Sequence, residues 1–429
     1  AAAALVASPK VTVAAALDAD RSFSVSWLAT DGFDEISPDK SFIAFDDSAY
    51  RAMRDDQSRT PLFQEAITRR LSSEACTVLD VGTGPFALLA IMAARAGATK
   101  ASYPPPSLSG HGDPHSSALK VYACEANPEA AKRAREAVKN AKDVPSGVIE
   151  ILDGFSTDID LPGKVDLVLA EICGSVASEE GLVATIRDAR KRLVKKPDDP
   201  ASYIPCEAQT LVAPCTYAQH FQLGPPEFDW SKLGGEPLRL NCRDEQLQIL
   251  APPQLAEDIR FYDPVCFAQP SVVTPGSKLR FEVRQEALDL NTGAFLKELQ
   301  GQGKRRPDDK SREDAQRTFA GEIASTLSGA AFWPRLVLTQ GDASPIVVDS
   351  RAFPSGGHRK SHWQTVVSVG PPRPLAIKAG DRIELDFKAS VTAPTAPMSQ
   401  ADESWVGSRE RAGAVASPVR YQLSGSISS

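Results

Sequence analysis

The sequence predicts an α/β domain with a doubly wound parallel sheet, followed by an antiparallel β-barrel. Two patterns carry this prediction. Up to about residue 195, strand-like apolar runs alternate with helix-like runs, which is typical of a parallel sheet with helices on both faces. After residue 200, short alternating stretches are separated by prolines and glycines, as in barrels and sandwiches. A length of 429 residues accommodates at least two such units.

Each predicted element rests on its own run of residues. In the first half we expect strands at residues 77–82, 121–125, 148–152 and 165–171, and helices at 87–98, 128–141 and 182–193. In the second half we expect strands at 208–213, 278–283, 319–325, 334–339, 364–369, 382–387 and 419–423. The stretches 102–117, 291–317 and 393–417 are interpreted as loops or insertions.

Charge and composition argue against several classes of function. A net charge of −7, from 48 basic and 55 acidic side chains, disfavours direct binding of nucleic acid, whereas a cationic protein partner suits it. There is no run of about 18 apolar residues, so we predict no membrane span. The seven cysteines lie far apart and form no Cys-x-x-Cys pair, which favours a reducing compartment. No cluster has the spacing of metal ligands, so no metal is expected.

A glycine turn follows the first predicted strand. Val78-Leu-Asp-Val-Gly-Thr-Gly84 is a buried strand that breaks at two glycines and enters a helix at about Ala87. In Rossmann-like domains such a turn lets a ligand approach the backbone at a helix N-terminus. Phe86 stands where a third glycine is usual, and there is no Walker-type lysine. Glu125, closing the next strand, is placed to accept the hydroxyls of a ribose. The alternative is an ordinary turn with a solvated Glu125.

Two carboxylates lie nine residues apart after the fourth predicted strand. The apolar run 165–170 ends in Glu171, and Glu180 follows across a loop that can bring both side chains onto one pocket. Two carboxylates in one cavity select a cation, and a planar guanidinium fits them better than an ammonium because it binds in a bidentate way. The alternative is a solvated loop with Glu180 at the start of a helix. The neighbouring Glu179 is expected to be solvated.

Together with three other stretches in the same order, this carboxylate pair resembles the protein arginine N-methyltransferase family, whose members are class I S-adenosylmethionine-dependent methyltransferases. Residues 49–60 look like the family's N-terminal helix over the cofactor, and residues 171–180 look like its double-glutamate loop. The segment 319–338, with Gly-Ala-Ala-Phe-Trp, is similar to its barrel strand pair, and Ser361-His-Trp-Gln-Thr365 to its Thr-His-Trp loop. The resemblance covers about residues 24–423.

Looser similarities point to one branch of this family. Ser24-Val-Ser-Trp-Leu28 and Phe155-Ser-Thr157 resemble the type III branch, which monomethylates arginine. Three features depart from the family pattern: Phe86 in the glycine turn, Cys173 in the glutamate loop near a position that is often Met, and Phe42 and Phe45 before Tyr50, where the family has a Tyr. These departures leave the degree of methylation open, although the branch motifs favour monomethylation.

The resemblance implies methyl transfer from S-adenosylmethionine to a guanidino nitrogen of arginine in proteins, with S-adenosylhomocysteine as the product. It implies catalytic roles for Glu171, Glu180 and His362, where His362 would orient the glutamate loop or relay a proton. It implies that Asp56 helps to position the capping helix and that Trp363 and Met53 contact the substrate. The implied cofactor-binding residues are Arg59, Asp80, Gly82, Gly84, Glu125, Ser156, Thr157 and, beside the methyl group, Met53.

The family pattern also implies a domain division. Residues 1–40 would form an N-terminal extension, residues 41–200 a Rossmann-like S-adenosylmethionine-binding domain with a capping helix, and residues 201–429 a β-barrel substrate domain. An arm at about residues 217–254 would join two copies into a homodimer. We expect a Gly/Arg-rich protein substrate, no membrane or direct nucleic-acid partner, and a location in the cytoplasm, the nucleus or both.

Two other functions stay open. Phe86 and the altered glutamate loop are compatible with an inactive methyltransferase scaffold that only binds protein partners. A methyltransferase acting on a small guanidino compound would need the same two carboxylates. A hydrolase is disfavoured because the sequence has no Gly-x-Ser-x-Gly motif.

Overall fold

The computed structural model describes residues 21–29, 46–72, 76–98, 119–242, 244–268, 272–301, 310–341, 344–351, 361–391 and 419–429. Up to residue 204 the elements are β1 (Ser22–Leu28), α1 (Asp47–Arg54), α2 (Thr60–Leu71), β2 (Thr77–Val81), α3 (Leu88–Ala98), β3 (Lys120–Glu125), α4 (Pro128–Asn140), β4 (Ile149–Asp153), β5 (Leu167–Leu169), α5 (Leu182–Arg192) and β6 (Tyr203–Ile204).

The remaining elements belong to the second half of the chain. They are β7 (Glu207–Tyr217), α6 (Ala218–Gln222), β8 (Leu238–Asn241), β9 (Leu247–Ile249), β10 (Gln254–Arg260), β11 (Val272–Glu282), α7 (Gln285–Gly301), α8 (Lys310–Ala324), β12 (Thr326–Leu327), β13 (Gly329–Val337), β14 (Val347–Asp349), β15 (Gln364–Val369), β16 (Leu375–Ala376), β17 (Arg382–Val391) and β18 (Val419–Ser428).

The first half forms a five-stranded parallel sheet in the order β4-β3-β2-β5-β6. Its central strands are buried and almost wholly apolar because helices cover the sheet. Parallel pairing in register brings the carboxyl ends of β2, β3 and β4 to one edge, with Glu125 opposite Asp153. The predicted doubly wound sheet is therefore confirmed, and its ligand-binding edge carries the glycine turn.

The second half curls two antiparallel sheets around an apolar core. One sheet has the order β1-β18-β17-β11, and the other runs β10-β7-β13-β15-β8 with β14 and β9 alongside. Between them Trp27 stacks on Tyr421 with ring centroids 5.2 Å apart and also contacts Phe332 at 5.8 Å. Each of these rings is nearly inaccessible to solvent, so the barrel core is closed by aromatic packing.

A continuous core joins the two halves. Side chains of the barrel, such as Phe261, Leu336 and Trp363, pack in the same apolar cluster as β2, β5 and α5 of the parallel sheet. The loop between β5 and α5 lies at this junction, since its residues are hydrogen-bonded to β7 and β18 of the barrel. The barrel therefore fixes the conformation of the loop that carries the paired glutamates.

Two predicted elements are wrong. Residues 291–317 were expected to be a loop and 319–325 a strand, but residues 291–301 belong to α7 and residues 310–324 form α8, while residues 302–309 lie outside the described residues. The reason is the spacing of the apolar residues: Ala320, Ile323 and Ala324 lie on one helical face and pack with Phe295 and Ala218 in a separate small core. The prediction took a short alternation of polar and apolar residues in this segment as a strand and missed the longer helical period.

Parts of the predicted N-terminal extension and of the predicted arm belong to the barrel sheets. Within the predicted N-terminal extension 1–40, strand β1 pairs with β18 over its whole length and so belongs to the barrel. Within the predicted arm 217–254, β8 pairs with β15 and β9 pairs with β7, so part of this segment is built into the barrel sheet. The predicted loops 102–117 and 393–417 lie outside the described residues. Among those described, no helix is both long and apolar enough to cross a bilayer.

Candidate active site

A cavity of about 490 Å³ opens at the carboxyl edge of the parallel sheet, where the sheet meets the barrel. Helix α1 and the start of α2 cover it, the glycine turn and Glu125 form its floor, and the glutamate loop and the His-Trp loop form its far wall. Of the residues implicated by the sequence, those lining it are Met53, Arg59, Asp80, Gly82, Gly84, Glu125, Ser156, Glu171, Glu180, His362 and Trp363.

The glycine turn is fixed by geometry that larger residues do not tolerate. Gly82 has φ +69°, and a Cβ there would lie 2.9 Å from the side chain of Ile172. Asp80 braces the turn from below, since one carboxylate oxygen accepts hydrogen bonds from the Thr83 hydroxyl at 2.6 Å and the Ala90 amide at 3.1 Å. Burial raises the pKa of Asp80 to about 7. The backbone of the turn can therefore approach a ligand closely.

Glu125 faces the same end of the cavity. Its two oxygens accept one backbone N–H each, from Gly84 at 2.8 Å and from Asn127 at 2.9 Å. Each carboxylate oxygen keeps a further lone pair, so both can still accept a hydroxyl hydrogen bond. Burial raises the pKa of Glu125. This arrangement suits a ribose diol beside the glycine turn.

Helix α1 brings Met53 over the cavity, and the N-cap position of α2 brings Arg59 there. The Arg59 guanidinium forms a buried ion pair with Glu171 and donates to the Met53 carbonyl at 2.9 Å. Its Nε is buried and, within the described part of the chain, has no hydrogen-bond partner. An unpartnered buried donor next to the glycine turn is what an anionic group of a ligand would satisfy. The sequence did not indicate the contact between Arg59 and Glu171.

The adenine-region residues are not equivalent. Ser156 lines the cavity together with Phe155, whereas Thr157 is buried but is not among the lining residues. The backbone carbonyls of Ser156 and Thr157 both accept from Arg192 at 2.9 Å. The contact of Ser156 and Thr157 with the cofactor stays a prediction.

The His-Trp loop is tied to α1 and to the glutamate loop. Asp56 accepts from both the backbone N–H and the Nδ1 of His362, each at 2.8 Å. Burial opposes ionisation of Asp56, but hydrogen bonds from His362 and Ser58 outweigh it and hold the pKa of Asp56 below its usual range. Trp363 lies against the His362 ring with centroids 4.1 Å apart and donates its indole N–H to the Cys173 carbonyl at 2.8 Å.

The glutamate loop is anchored to the barrel by a buried polar network. The Ala177 amide donates to the Thr210 hydroxyl at 2.8 Å, and the Ser178 hydroxyl donates to Glu257 at 2.7 Å. Glu257 also accepts from Thr210 at 2.6 Å, and Tyr421 from β18 lies within hydrogen-bond distance of Ser178. Burial raises the pKa of Glu257. Sequence reasoning missed this anchor because its members come from three distant strands and the loop.

The expectation that Glu179 is solvated is wrong. Its side chain is buried, one oxygen accepts the Val176 amide at 3.1 Å, and the Arg239 guanidinium from β8 donates to the other at 2.8 Å. The physical reason is that the loop folds the Glu179 carboxylate inward, where the charge of Arg239 from the barrel compensates it. Arg239 also lines the cavity, and no sequence motif had singled it out.

The carboxylates also set the character of two other lining groups. Burial, followed by the charges of Glu171 and Glu180, raises the pKa of the Cys173 thiol well above its ordinary value. Burial and the charge of Glu125 raise the pKa of Tyr50 to about 12. Both groups are therefore neutral near pH 7, so Cys173 does not supply a thiolate nucleophile. Among the described residues there is no cluster of side chains arranged to hold a metal ion.

Sequence comparisons find known proteins that match part of this chain. No family model matches the sequence. An Arginine N(omega)-methyltransferase of Streptomyces achromogenes subsp. streptozoticus is 35% identical over 150 residues, covering 34% of this chain and 34% of that protein. The protein arginine N-methyltransferase PRMT10 of Arabidopsis thaliana is 36% identical over 122 residues, covering 28% of this chain and 26% of that protein. The matches to these two relatives therefore span about a third or less of their length.

The fold has similar solved structures. The Trypanosoma brucei PRMT1 enzyme-prozyme heterotetrameric complex with AdoHcy gives a TM-score of 0.55 at 21% identity, covering 80% of this chain and 88% of that chain. Protein Arginine Methyltransferase 10 of Arabidopsis thaliana gives 0.53 at 18% identity over the same shares. These likenesses confirm the predicted combination of parallel sheet and barrel. The chain is therefore similar in sequence to arginine methyltransferases over about a third of its length, and it is similar in fold to solved protein arginine methyltransferases over 80% of its length.

Proposed function

We propose that the protein transfers a methyl group from S-adenosylmethionine to a guanidino nitrogen of arginine. One observation supports this most strongly: a single cavity connects a glycine turn and Glu125 with the carboxylates of Glu171 and Glu180. A nucleoside at the first end and a guanidinium at the second would meet inside one enclosed space. The methyltransferases named among its relatives add to this support.

The residues at the first end fit the cofactor. Gly82 and Gly84 leave room for it along the turn, Glu125 accepts the ribose hydroxyls, and the unpartnered Nε of Arg59 donates to its carboxylate. When bound, the cofactor supplies an electrophilic methyl group on a sulfonium. Ser156 and Phe155 border the adenine, and Met53 on the covering helix excludes water from the space between the two ends.

At the second end, Glu171 and Glu180 bind the guanidinium. A protonated guanidinium is a poor nucleophile because its lone pairs are delocalised, and two carboxylates draw the positive charge toward the nitrogens they hold. The remaining nitrogen is then free to attack, and most of the acceleration comes from orientation. His362 donates from Nδ1 to the ionised Asp56, so the other ring nitrogen of its neutral form can accept the proton that the product loses.

A second candidate has support from one comparison. The Streptomyces achromogenes relative is named for arginine itself rather than protein arginine. A small guanidino compound would use the same carboxylate pair, so the two candidates differ only in what surrounds the guanidinium. An inactive scaffold that binds protein partners is the third possibility, and it would lack affinity for S-adenosylmethionine if Phe86 blocks the turn.

Finer properties are part of the same proposal. We expect a Gly/Arg-rich protein substrate, monomethylarginine as the product, and an enzyme of the cytoplasm or nucleus. We also expect a homodimer through residues 217–254, since Leu223 and Phe228 in this segment expose 40% and 38% of their surface. Sedimentation at micromolar concentration tests the dimer, and mass spectrometry of a methylated peptide tests the product.

The central experiment separates the candidates. Calorimetry measures S-adenosylmethionine binding, and transfer of a labelled methyl group is then compared between a Gly/Arg-rich peptide and L-arginine. Transfer to the peptide supports the proposal, transfer only to L-arginine supports the small-molecule enzyme, and absence of cofactor binding supports the scaffold.

A variant series then tests the carboxylate pair. Glu171→Gln and Glu180→Gln should abolish transfer while cofactor affinity changes by a few-fold at most. Neither residue contacts the ribose end, and the amide oxygen introduced by Glu171→Gln can still accept the hydrogen bond from Arg59. Glu384→Gln is the control, since Glu384 is 41% exposed and pairs only with the exposed Arg280 among the contacts described. Unchanged turnover in either cavity variant would remove that residue from the mechanism.

A further inference from the structure

An arginine of the barrel enters the candidate active site. Arg239 on β8 donates to both oxygens of Glu179, at 2.8 Å from Nη2 and 3.4 Å from Nη1. The two side chains expose 21% and 4% of their surface, and both line the cavity. Besides Arg54 and Arg59, the site therefore contains a third guanidinium of the protein's own, bound by a carboxylate next to Glu180.

Glu179 in turn shapes the loop that carries Glu180. Its carboxylate accepts the Val176 amide at 3.1 Å, and its backbone N–H donates to the Val176 carbonyl at 3.0 Å, which closes a tight turn. Its side chain lies over Gly174, where an added Cβ would be 2.6 Å from the Glu179 Cβ. The carboxylate is thus packed into the loop, and Arg239 holds it from the barrel side.

We propose that Arg239 is a positioning residue that fixes Glu180 through Glu179 and keeps Glu179 from competing for the substrate. This inference rests on the proposed function for the identity of the substrate, but the contact between Arg239 and Glu179 does not. The partner that Glu179 selects is a guanidinium, which is the same chemical group that Glu171 and Glu180 would receive.

The chemistry of the cavity explains why this role is needed. A carboxylate binds a guanidinium in a bidentate way, and three carboxylates in sequence positions 171, 179 and 180 would offer alternative pairs to one arginine. Arg239 occupies both oxygens of Glu179, whereas Arg59 contacts one oxygen of Glu171, so Glu171 and Glu180 are left as the productive pair. Transfer requires the attacking nitrogen in line with the methyl group, so an arginine held by the wrong pair would be misplaced by more than the reaction tolerates.

The test is a set of variants with chemical rescue. Arg239→Ala should lower kcat/KM about 10²-fold, mainly through kcat, because it moves Glu180 rather than removing a substrate contact. Arg239→Lys should be intermediate, since an ammonium lacks the fork. Millimolar guanidinium chloride should restore part of the activity of Arg239→Ala by binding at Glu179, whereas it should only inhibit the wild type.

A double variant identifies the path of the effect. In Arg239→Ala with Glu179→Gln, the amide oxygen can still accept the Val176 N–H, and the competing charge is gone. This double variant should be more active than Arg239→Ala alone and should not respond to guanidinium. Arg280→Ala, which removes an exposed arginine from an ion pair on the barrel surface, is the matched control and should behave like the wild type.

The outcomes separate this inference from the proposed function. If the wild type binds S-adenosylmethionine and transfers methyl groups but Arg239→Ala keeps full activity, Arg239 has no positioning role. If guanidinium fails to rescue Arg239→Ala, or rescues the double variant equally, the path through Glu179 is wrong. If the wild type transfers no methyl group, the proposed function fails, and thermal unfolding then tests whether Arg239 occupies the guanidinium site at Glu179. In that case guanidinium should raise the Tm of Arg239→Ala but not that of Arg280→Ala. Equal Tm changes in the two variants would overturn the inference.

Discussion

The buried anchor at Glu257 allows a quantitative prediction. Glu257→Ala removes a carboxylate that accepts the hydroxyls of Thr210 at 2.6 Å and Ser178 at 2.7 Å. Hydrogen bonds to a charged group contribute about 1.5–3 kcal/mol each. Because burial raises the pKa of Glu257 and disfavours its charged form, we take the lower end, about 3 kcal/mol for the two bonds. The space left by the side chain adds about 1 kcal/mol.

A loss of about 4 kcal/mol lowers the Tm of a domain of about 200 residues by about 10 °C. Thermal unfolding followed by tryptophan fluorescence measures this directly, since Trp27 stacks on Tyr421 beside the network. Glu384→Ala is the control, because an exposed ion pair contributes about 0–1 kcal/mol. The same variant should lower turnover more than cofactor affinity, since Ser178 lies in the loop that carries Glu180. A Tm for Glu257→Ala equal to that of the control would refute this reasoning.

Three further predictions follow from single contacts. Asp56→Asn removes the charge that orients His362 and should lower turnover about 10²-fold with a changed pH profile, measured by methyl transfer over pH; an unaltered profile would count against the relay. Gly174→Ala places a Cβ 2.6 Å from that of Glu179 and should destabilise the protein by about 1–3 kcal/mol in denaturant unfolding, so wild-type stability would contradict the packing described. The raised folded pKa of Glu257 means that its stability contribution is fully present below the ordinary carboxyl value of about 4.3 and is lost as the pH rises through the folded pKa. The Tm advantage of the wild type over Glu257→Gln should therefore shrink as the pH rises, and a constant difference would show that Glu257 has an ordinary pKa.

Much of the fold was predictable because its signals are local. The apolar runs of β2, β3 and β5 and the helix between the first two follow each other within short distances, and their periodicity is that of a covered parallel sheet. The hairpin of α7 and α8 was missed because its apolar residues face a small separate core rather than the barrel, so a short window showed only mixed polarity. Long strands such as β7 and β17 were found but with ends several residues short.

The residues of the candidate site also divide into those that local sequence signals predicted and those that they did not. Glu171 and the glycine turn were predictable because each lies just after a strand, and the carboxyl ends of parallel strands meet at one edge. Glu180 was predictable from its nine-residue spacing from Glu171. Glu179 was misjudged because its partner, Arg239, lies 60 positions away on a strand with no motif.

The sequence alone determined the order of the elements, the sheet and barrel architecture, and the residue types at the carboxyl edge, because these depend on periodicity and on breaks within single elements. Only the tertiary structure decided which charges compensate one another. Arg59 meets Glu171, Asp56 meets His362 and Arg239 meets Glu179 across 112, 306 and 60 positions. Such pairs depend on how the barrel packs against the sheet, and an electrostatic contact over a few ångströms leaves no pattern in a single sequence.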